Sequence, residues 1–382
     1  MLHTSCFYWL KGREVVSRIR VLHVGLETHL GGIETYLLKI SSNIDRSRFD
    51  FAFLAHDNQN PCFFNELSDL GCSFHFVRSR RKSWFGNAKD IRNLLSKEKY
   101  DIVHCHLNSL TYITPALEGL KAGAKVIVHS RNGGSSIGSS SRILGAINRL
   151  RMPWNRVTRV AVSDLAGEWM FGKNRSFLVL NNGLDTSKYM FSAEDRTTIR
   201  KELGIPQNAE VIANVGAFRT QKNHSFIVDV FNAYHQKHSV SILLLVGEGE
   251  LVDEIKRKVS EYGIENNVVF AGRRTDIPSV LSASDKYLFP SLYEGFPNAL
   301  IEAETSGLLC VSSTSITEQA CLDNCIRVSL DAPVSDWVAA LERPVVSDRK
   351  ACVEMVEKAG FGIREEIGRL ESLYTSLVGG KG

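Results

Sequence analysis

The stretch KYLFPSLYEGFPNALIEAETSG, Lys286 to Gly307, decides how the whole chain reads. An apolar strand ends at Pro290, and a short turn carries Glu294, Gly295 and Phe296. A helix is expected from Pro297, since proline suits the first helical position. The first N–H groups of a helix lack internal acceptors and the helix dipole favours anions there, so amides near Asn298 and Ala299 suit phosphates. Two carboxylates, Glu294 and Glu302, flank that helix start eight residues apart. A carboxylate accepts two hydrogen bonds, so Glu302 suits vicinal ribose hydroxyls and Glu294 suits sugar hydroxyls.

The same strand–loop–helix order repeats outward in both directions. Apolar runs occur at Arg20–Leu26, Phe49–Ala55, Ser73–Val77, Asp101–His104, Lys125–His129, Val157–Val162 and Phe177–Leu180. A second series runs Val211–Val215, Ser241–Val246, Asn267–Phe270, Lys286–Pro290, Leu309–Ser312 and Ile326–Ser329. Runs apolar on both faces, separated by helix-length segments, imply parallel sheets covered on both sides. The expected fold is therefore α/β, with two doubly wound Rossmann-like domains facing each other across a crevice. Ligands should bind beyond the C-terminal strand ends, in that crevice. We expect an N-terminal extension at 1–17, a first domain at 18–188 and a second at 189–362. The final 363–382 should be a helix that packs toward the first domain through Ile363, Ile367, Leu370, Leu373 and Tyr374.

Composition agrees with ordinary globular domains. Of 382 residues, 43% are hydrophobic and 23% charged, which excludes a disordered or fibrous chain. A net charge of +4 is too mild to argue for a nucleic-acid partner. No stretch approaches the roughly 20 apolar residues of a membrane span. Eight cysteines without a CxxC spacing read as reduced core thiols of a cytoplasmic protein.

Further candidates gather at strand ends. Gly31 and Gly32 precede a helical pattern and would let backbone approach a phosphate or sugar. His129 closes the fifth run, in VIVHSRN, and could hydrogen-bond a sugar hydroxyl; His104 reads as a core residue, and His106 is open. In NVGAFRTQKNH, Gly216 ends a strand, and Arg219 and Lys222 follow as cations matched to a diphosphate. Gly247 and Gly272 end two more strands, with Arg273 placed to stack on a nucleobase. The stretch NGGSSIGSSS, 132–141, reads as a mobile loop over the crevice. No metal-binding carboxylate cluster accompanies these residues, so fixed cations and helix ends would have to neutralise the charge of a departing diphosphate.

With the Glu294-to-Glu302 motif, GGIETYLL, DIVHCH, NNGLDTSKY, QKNH and GEGEL, the chain resembles the family-4 retaining glycosyltransferases of the GT-B fold. The resemblance covers roughly Arg20 to Leu377 and lies nearest to bacterial enzymes of capsule, exopolysaccharide and O-antigen assembly. It implies a nucleotide-sugar donor (UDP the commonest), retention at the anomeric carbon, no required metal or other cofactor, and a saccharide or lipid-linked acceptor. It also implies roles: Gly32 near the phosphates, His129 near the donor sugar, Lys222 on the diphosphate, Glu294 on the sugar and Glu302 on the ribose. Many relatives carry arginine directly after the glycine at Gly216; here Ala217 stands there, and Arg219 is the expected substitute.

Two readings compete with transfer: a hydrolase or phosphorylase using Glu294 and Glu302 as a carboxyl pair, and a subunit that binds nucleotide sugars without turnover. Two basic and aromatic stretches, Arg78–Phe85 and Arg142–Arg159, suit peripheral contact with an anionic membrane surface. The expected location is the cytoplasm, at the inner face of the plasma membrane.

Overall fold

Thirteen parallel strands build two sheets in this computed structural model, which describes residues 18–134, 139–345 and 348–379. The first sheet holds β1 (Ile19–Val24), β2 (Phe49–His56), β3 (Ser73–Val77), β4 (Ile102–Leu107), β5 (Lys125–Ser130), β6 (Val157–Ala161) and β7 (Leu178–Val179). Their order is β3-β2-β1-β4-β5-β6-β7. The second holds β8 (Glu210–Val215), β9 (Ser241–Val246), β10 (Val268–Gly272), β11 (Lys286–Phe289), β12 (Leu309–Ser313) and β13 (Cys325–Val328), ordered β10-β9-β8-β11-β12-β13. Each expected strand is present, and the fold is the expected α/β pair of Rossmann-like domains. The proposed extension 1–17 and part of the serine-rich loop, 135–138, lie outside the described residues.

Strands β4 and β9 are buried along their whole length, so apolar side chains point to both faces and helices must cover both. Each sheet reverses its winding once, between β1 and β4 in the first and between β8 and β11 in the second. Loops diverge at such a point and leave an opening above it.

The last helix, Ile363–Gly379, lies against the first domain. Ile367, Leu370 and Tyr374 share a buried cluster with Val21, Phe51 and Ile127. Glu371 fixes its register, accepting from the Asp45 amide at 3.0 Å and from Arg48 at 3.1 Å. The domains also share a core elsewhere: Phe296 and Phe361, tilted rings 5.4 Å apart, belong to the cluster that covers the other face of the first sheet.

Two expectations need correction. Cys321 and Cys325 form a disulfide, because the turn at Leu322–Asn324 brings their Cα atoms to 5.1 Å; Cys62, Cys72, Cys105, Cys310 and Cys352 are free. Strand β4 runs on to Leu107, past the expected end at His104, so His106 lies within the strand. Among the described residues, no helix is long and apolar enough to cross a membrane.

Candidate active site

The loops that leave the two reversal points face one another around a cavity of 890 Å³. From the first sheet come the loops after β1, β2, β3, β4 and β5; from the second come those after β8 and β11. Of the residues singled out or left open by sequence, Gly31, Gly32, His106, Arg219, Glu294, Gly295, Phe296 and Asn298 line it. Gly216, Lys222, Gly247, Arg273, Ala299 and Glu302 are not among its lining residues.

Glu294 is the best-held group. Lys222 donates to its Oε1 at 2.7 Å and the Gln221 side chain to its Oε2 at 3.0 Å. Gln221 also donates to the Tyr293 carbonyl at 2.9 Å, and its own carbonyl accepts from the Leu292 amide at 2.9 Å. With the Asn223 side chain donating to the Pro290 carbonyl at 3.3 Å, the loop after β8 thus grips the loop after β11 at five points. Lys222 lies 4.9 Å above the Phe289 ring, which fixes the ammonium from below. A carboxylate bound on both oxygens is aimed, and it keeps lone pairs for hydroxyls in the cavity.

The helix starts at Asn298 and runs to Thr305, with Pro297 as its cap. The Asn298 amide is not free, since it donates to the Phe296 carbonyl at 3.0 Å. Among the described residues the Ala299 amide finds no acceptor, so it is the open donor at this helix end. Glu302 lies one turn further on, half-buried. Burial raises its pKa, while the Tyr189 hydroxyl, Lys39 and Lys222 work against that rise.

His129 does not reach the cavity. Strand β5 continues through Ser130, so His129 still points into the core, where it is fully buried beside His104. The residue that does reach the cavity is Arg131, two positions on and just past the strand end. Its guanidinium lies 3.7 Å from the Tyr36 ring centroid and donates to His129 Nε2 at 3.3 Å and to Asn182 Oδ1 at 2.8 Å. At the Gly31–Gly32 helix start an acid is already in place. Glu34 accepts from the Glu27 amide at 3.1 Å, and burial raises its pKa.

The two domains touch directly over this site. Ser163 donates to the Gly295 carbonyl at 2.5 Å, and Asn182 donates to Asn298 Oδ1 at 3.0 Å. A side chain at Gly295 would run into the Arg131 carbonyl, so only glycine lets the loops approach this closely. Gly247 is set by a similar contact: a Cβ there would meet the Gly216 carbonyl, and its φ is +143°. Asn132 of the serine-rich segment also lines the cavity. Sequence reading missed Ser163, Asn182 and Gln221. Ser163 shows in sequence only as the cap of the helix Asp164–Phe171, whose Ala166 amide it accepts at 3.2 Å.

Residues 195–358 match the family model described as Glycosyl transferases group 1, and residues 30–188 match Glycosyltransferase Family 4. The chain belongs to this glycosyltransferase family and is a glycosyltransferase. It is similar to EpsF of Bacillus subtilis (strain 168), at 28% identity over 373 residues, 94% of this chain and 97% of that protein. It is also similar to the Escherichia coli UDP-Gal:alpha-D-GlcNAc-diphosphoundecaprenol alpha-1,3-galactosyltransferase, at 26% identity over 395 residues, covering 95% and 98%. In fold it is similar to Anabaena Alr3699/HepE in complex with UDP and glucose, with a TM-score of 0.75 at 17% identity, over 94% of this chain and 100% of that one.

Proposed function

We propose that the chain is a retaining glycosyltransferase of cell-surface polysaccharide synthesis. It moves a sugar from a UDP-linked donor to a saccharide or lipid-linked saccharide. The observation that carries this reading is the Lys222–Glu294 pair, held at 2.7 Å beside a helix start, with Glu294 on the wall of the interdomain cavity. The names of the relatives agree with it: one speaks of UDP-Gal and a diphosphoundecaprenol-linked sugar, and the HepE structure holds UDP and glucose.

In this reading the diphosphate lies against Lys222, Arg219 and the Ala299 amide, with Gly31 and Gly32 approaching from the other domain. Glu294 takes sugar hydroxyls and Glu302 the ribose. Gly216, Gly247 and Arg273 border the nucleoside. The acceptor oxygen bonds to the anomeric carbon on the face that the diphosphate leaves. The breaking C–O bond sends its electrons to the departing phosphate oxygen, which takes the acceptor's proton. Fixed cations and the helix end stabilise that charge, and closure over the site limits hydrolysis. Of the two glutamates only Glu294 lines the cavity, whereas a hydrolytic pair needs both carboxyls facing the bond, roughly 5–10 Å apart.

The acceptor side borders a face suited to an anionic membrane. Phe85 is 90% and Leu150 89% exposed, with Trp84, Ile143 and Ile147 also exposed. Arg80, Arg81, Arg142 and Arg151 surround them, and both stretches are pinned to the loop after β4. Arg80 bonds the Thr111 carbonyl, and Asn148 donates to the Leu110 carbonyl at 2.8 Å. Thr111 and Tyr112 of that loop line the cavity. We infer a cytoplasmic enzyme seated on the inner membrane surface.

The test incubates the protein with a panel of UDP-sugars and lipid-linked saccharides, with and without vesicles containing anionic lipid. Acceptor-dependent UDP release, an anomeric configuration unchanged in the product, and co-sedimentation with the vesicles are expected. Equal UDP release without acceptor would favour hydrolysis, an inverted product would overturn retention, and failure to sediment would overturn the membrane contact.

A further inference from the structure

We propose that Arg131 is a positioning residue for transfer: through Asn182 it orients Asn298 across the crevice, tying domain closure to the donor pocket. The proposal rests on the glycosyltransferase reading above and adds to it a residue that acts through two others.

Arg131 is a cation only 9% exposed, yet both of its hydrogen-bond partners, His129 and Asn182, are neutral. A guanidinium can only donate. That single fact sets the direction of every bond leading away from it.

On one side, Asn182 must present Oδ1 to Arg131. Its amide group is then free to donate to Asn298 Oδ1, at 3.0 Å. Asn298 in turn is left with both side-chain N–H donors for a ligand, at the first residue of the helix and on the cavity wall. The path starts in the first domain, passes through the segment between the sheets and ends in the second domain. It can be complete only when the domains are closed.

On the other side, His129 Nε2 must accept from Arg131, so its proton sits on Nδ1. That proton faces His104 Nε2 at 3.1 Å. His104 then carries its own proton on Nδ1, facing the Tyr374 hydroxyl at 2.8 Å. Burial and the Arg131 charge keep both imidazoles neutral by pushing their pKa values well below the usual range. The histidines stack at 5.2 Å between adjacent strands, and Tyr374 comes from the last helix. Arg131 is therefore held from behind by a polarised row that no solvent reaches. A flexible cation at the cavity wall could point anywhere; this one has a single orientation.

Two measurements on the full chain test the proposal. The first is a double-mutant cycle on kcat/KM for the donor, using Asn182→Ala, Asn298→Ala and the pair, with UDP binding and thermal stability followed in parallel. Each single change should raise the donor KM about tenfold with a smaller effect on kcat, and the pair should be no worse than either alone. Arg131→Lys, which keeps the charge and loses the fork, should restore only part of what Arg131→Met loses. Additive effects of Asn182→Ala and Asn298→Ala would overturn the proposal. The second measurement needs no turnover. Nitrogen-15 spectra of histidine side chains should show Nδ1–H tautomers for His129 and His104, and Arg131→Met should disturb both. An unchanged pattern in Arg131→Met would overturn the proposal even if activity falls. A wild-type protein that turns over no nucleotide sugar would overturn the transferase reading, while the tautomer spectra would still report whether Arg131 orders the row.

Discussion

Lys222 and Glu294 leave different strands of the second sheet, 72 residues apart in sequence, and meet at 2.7 Å. Among the described residues neither has a second charged partner; Gln221 adds a neutral hydrogen bond to Glu294, and the Phe289 ring lies under Lys222.

Replacing either partner should therefore disable the same step. Lys222→Ala and Glu294→Ala are each expected to lower kcat by about 10²- to 10³-fold, the usual range for losing one donor that stabilises developing charge. The double variant should lose little more than the worse single one. Stopped assays of UDP release with acceptor present read this directly. Near-normal turnover in either single variant would remove these residues from the chemistry.

Gly295→Ala tests closure. The added methyl meets the Arg131 carbonyl, so the loops must part, and the Ser163 bond to the Gly295 carbonyl lengthens with them. Transfer should fall about tenfold while UDP release without acceptor rises, because a parted crevice admits water. A ratio of transfer to hydrolysis equal to wild type would show that closure does not depend on this contact.

Charge neutralisation by Lys222, Arg219 and the helix end predicts that chelation has little effect. The initial rate in excess EDTA should match that in Mg²⁺ or Mn²⁺ within a factor of two, as an order-of-magnitude expectation. Loss of most activity to EDTA, restored by either ion, would overturn it.

Stability on the alkaline side should turn on Glu304. It is fully buried, accepts from the Leu322 amide at 2.8 Å, and burial pushes its pKa up to about 8. A raised folded pKa contributes stability that is complete below the unfolded value near 4.5 and is lost as pH rises through about 8. Glu304→Gln has no proton to lose. Relative to wild type it should gain a few kcal/mol, on the order expected for such a shift, between pH 4.5 and 9. Urea midpoints at the two pH values measure this. A constant difference across that range would mean the carboxyl ionises normally.

On the acid side the sign reverses. Burial lowers the pKa of His23 to about 3 and holds His104, His106 and His129 well below the usual value. These groups stabilise the fold above the unfolded pKa near 6.5 and withdraw that contribution as pH falls. Each is worth about 1.4 kcal/mol per pH unit over that window. Unfolding followed from pH 7 to 5 should show the decline. A flat midpoint would mean the imidazoles are open to protons.

Much of this was readable from the residues. Strands apolar on both faces announced parallel sheets, and glycines or cations at successive strand ends announced the cavity. Arg219 was read as such a cation, Glu294 as half of a carboxylate pair and Asn298 as a helix start, and the structure puts all three on the cavity wall. His129 was misread because the strand was ended one residue early, and with it the boundary between core and crevice. Arg131 was in plain view, two residues on, but nothing in its neighbourhood marks it as buried. Ser163 carries no motif, and NNGLDTSKY and QKNH, which contain Asn182 and Gln221, do not say which side chain reaches the other domain or the neighbouring loop. Their roles come from the approach of segments more than 70 residues apart, which periodicity does not encode.

The placement of Tyr374 has a consequence for synthesis. The first sheet is complete in sequence by Val179, yet one wall of its core is supplied by Ile367, Leu370 and Tyr374. While the second domain is being translated, the first must wait with that wall open and apolar residues uncovered, a state prone to wrong association. The ribosome must release the chain through Tyr374 before the first domain can finish folding.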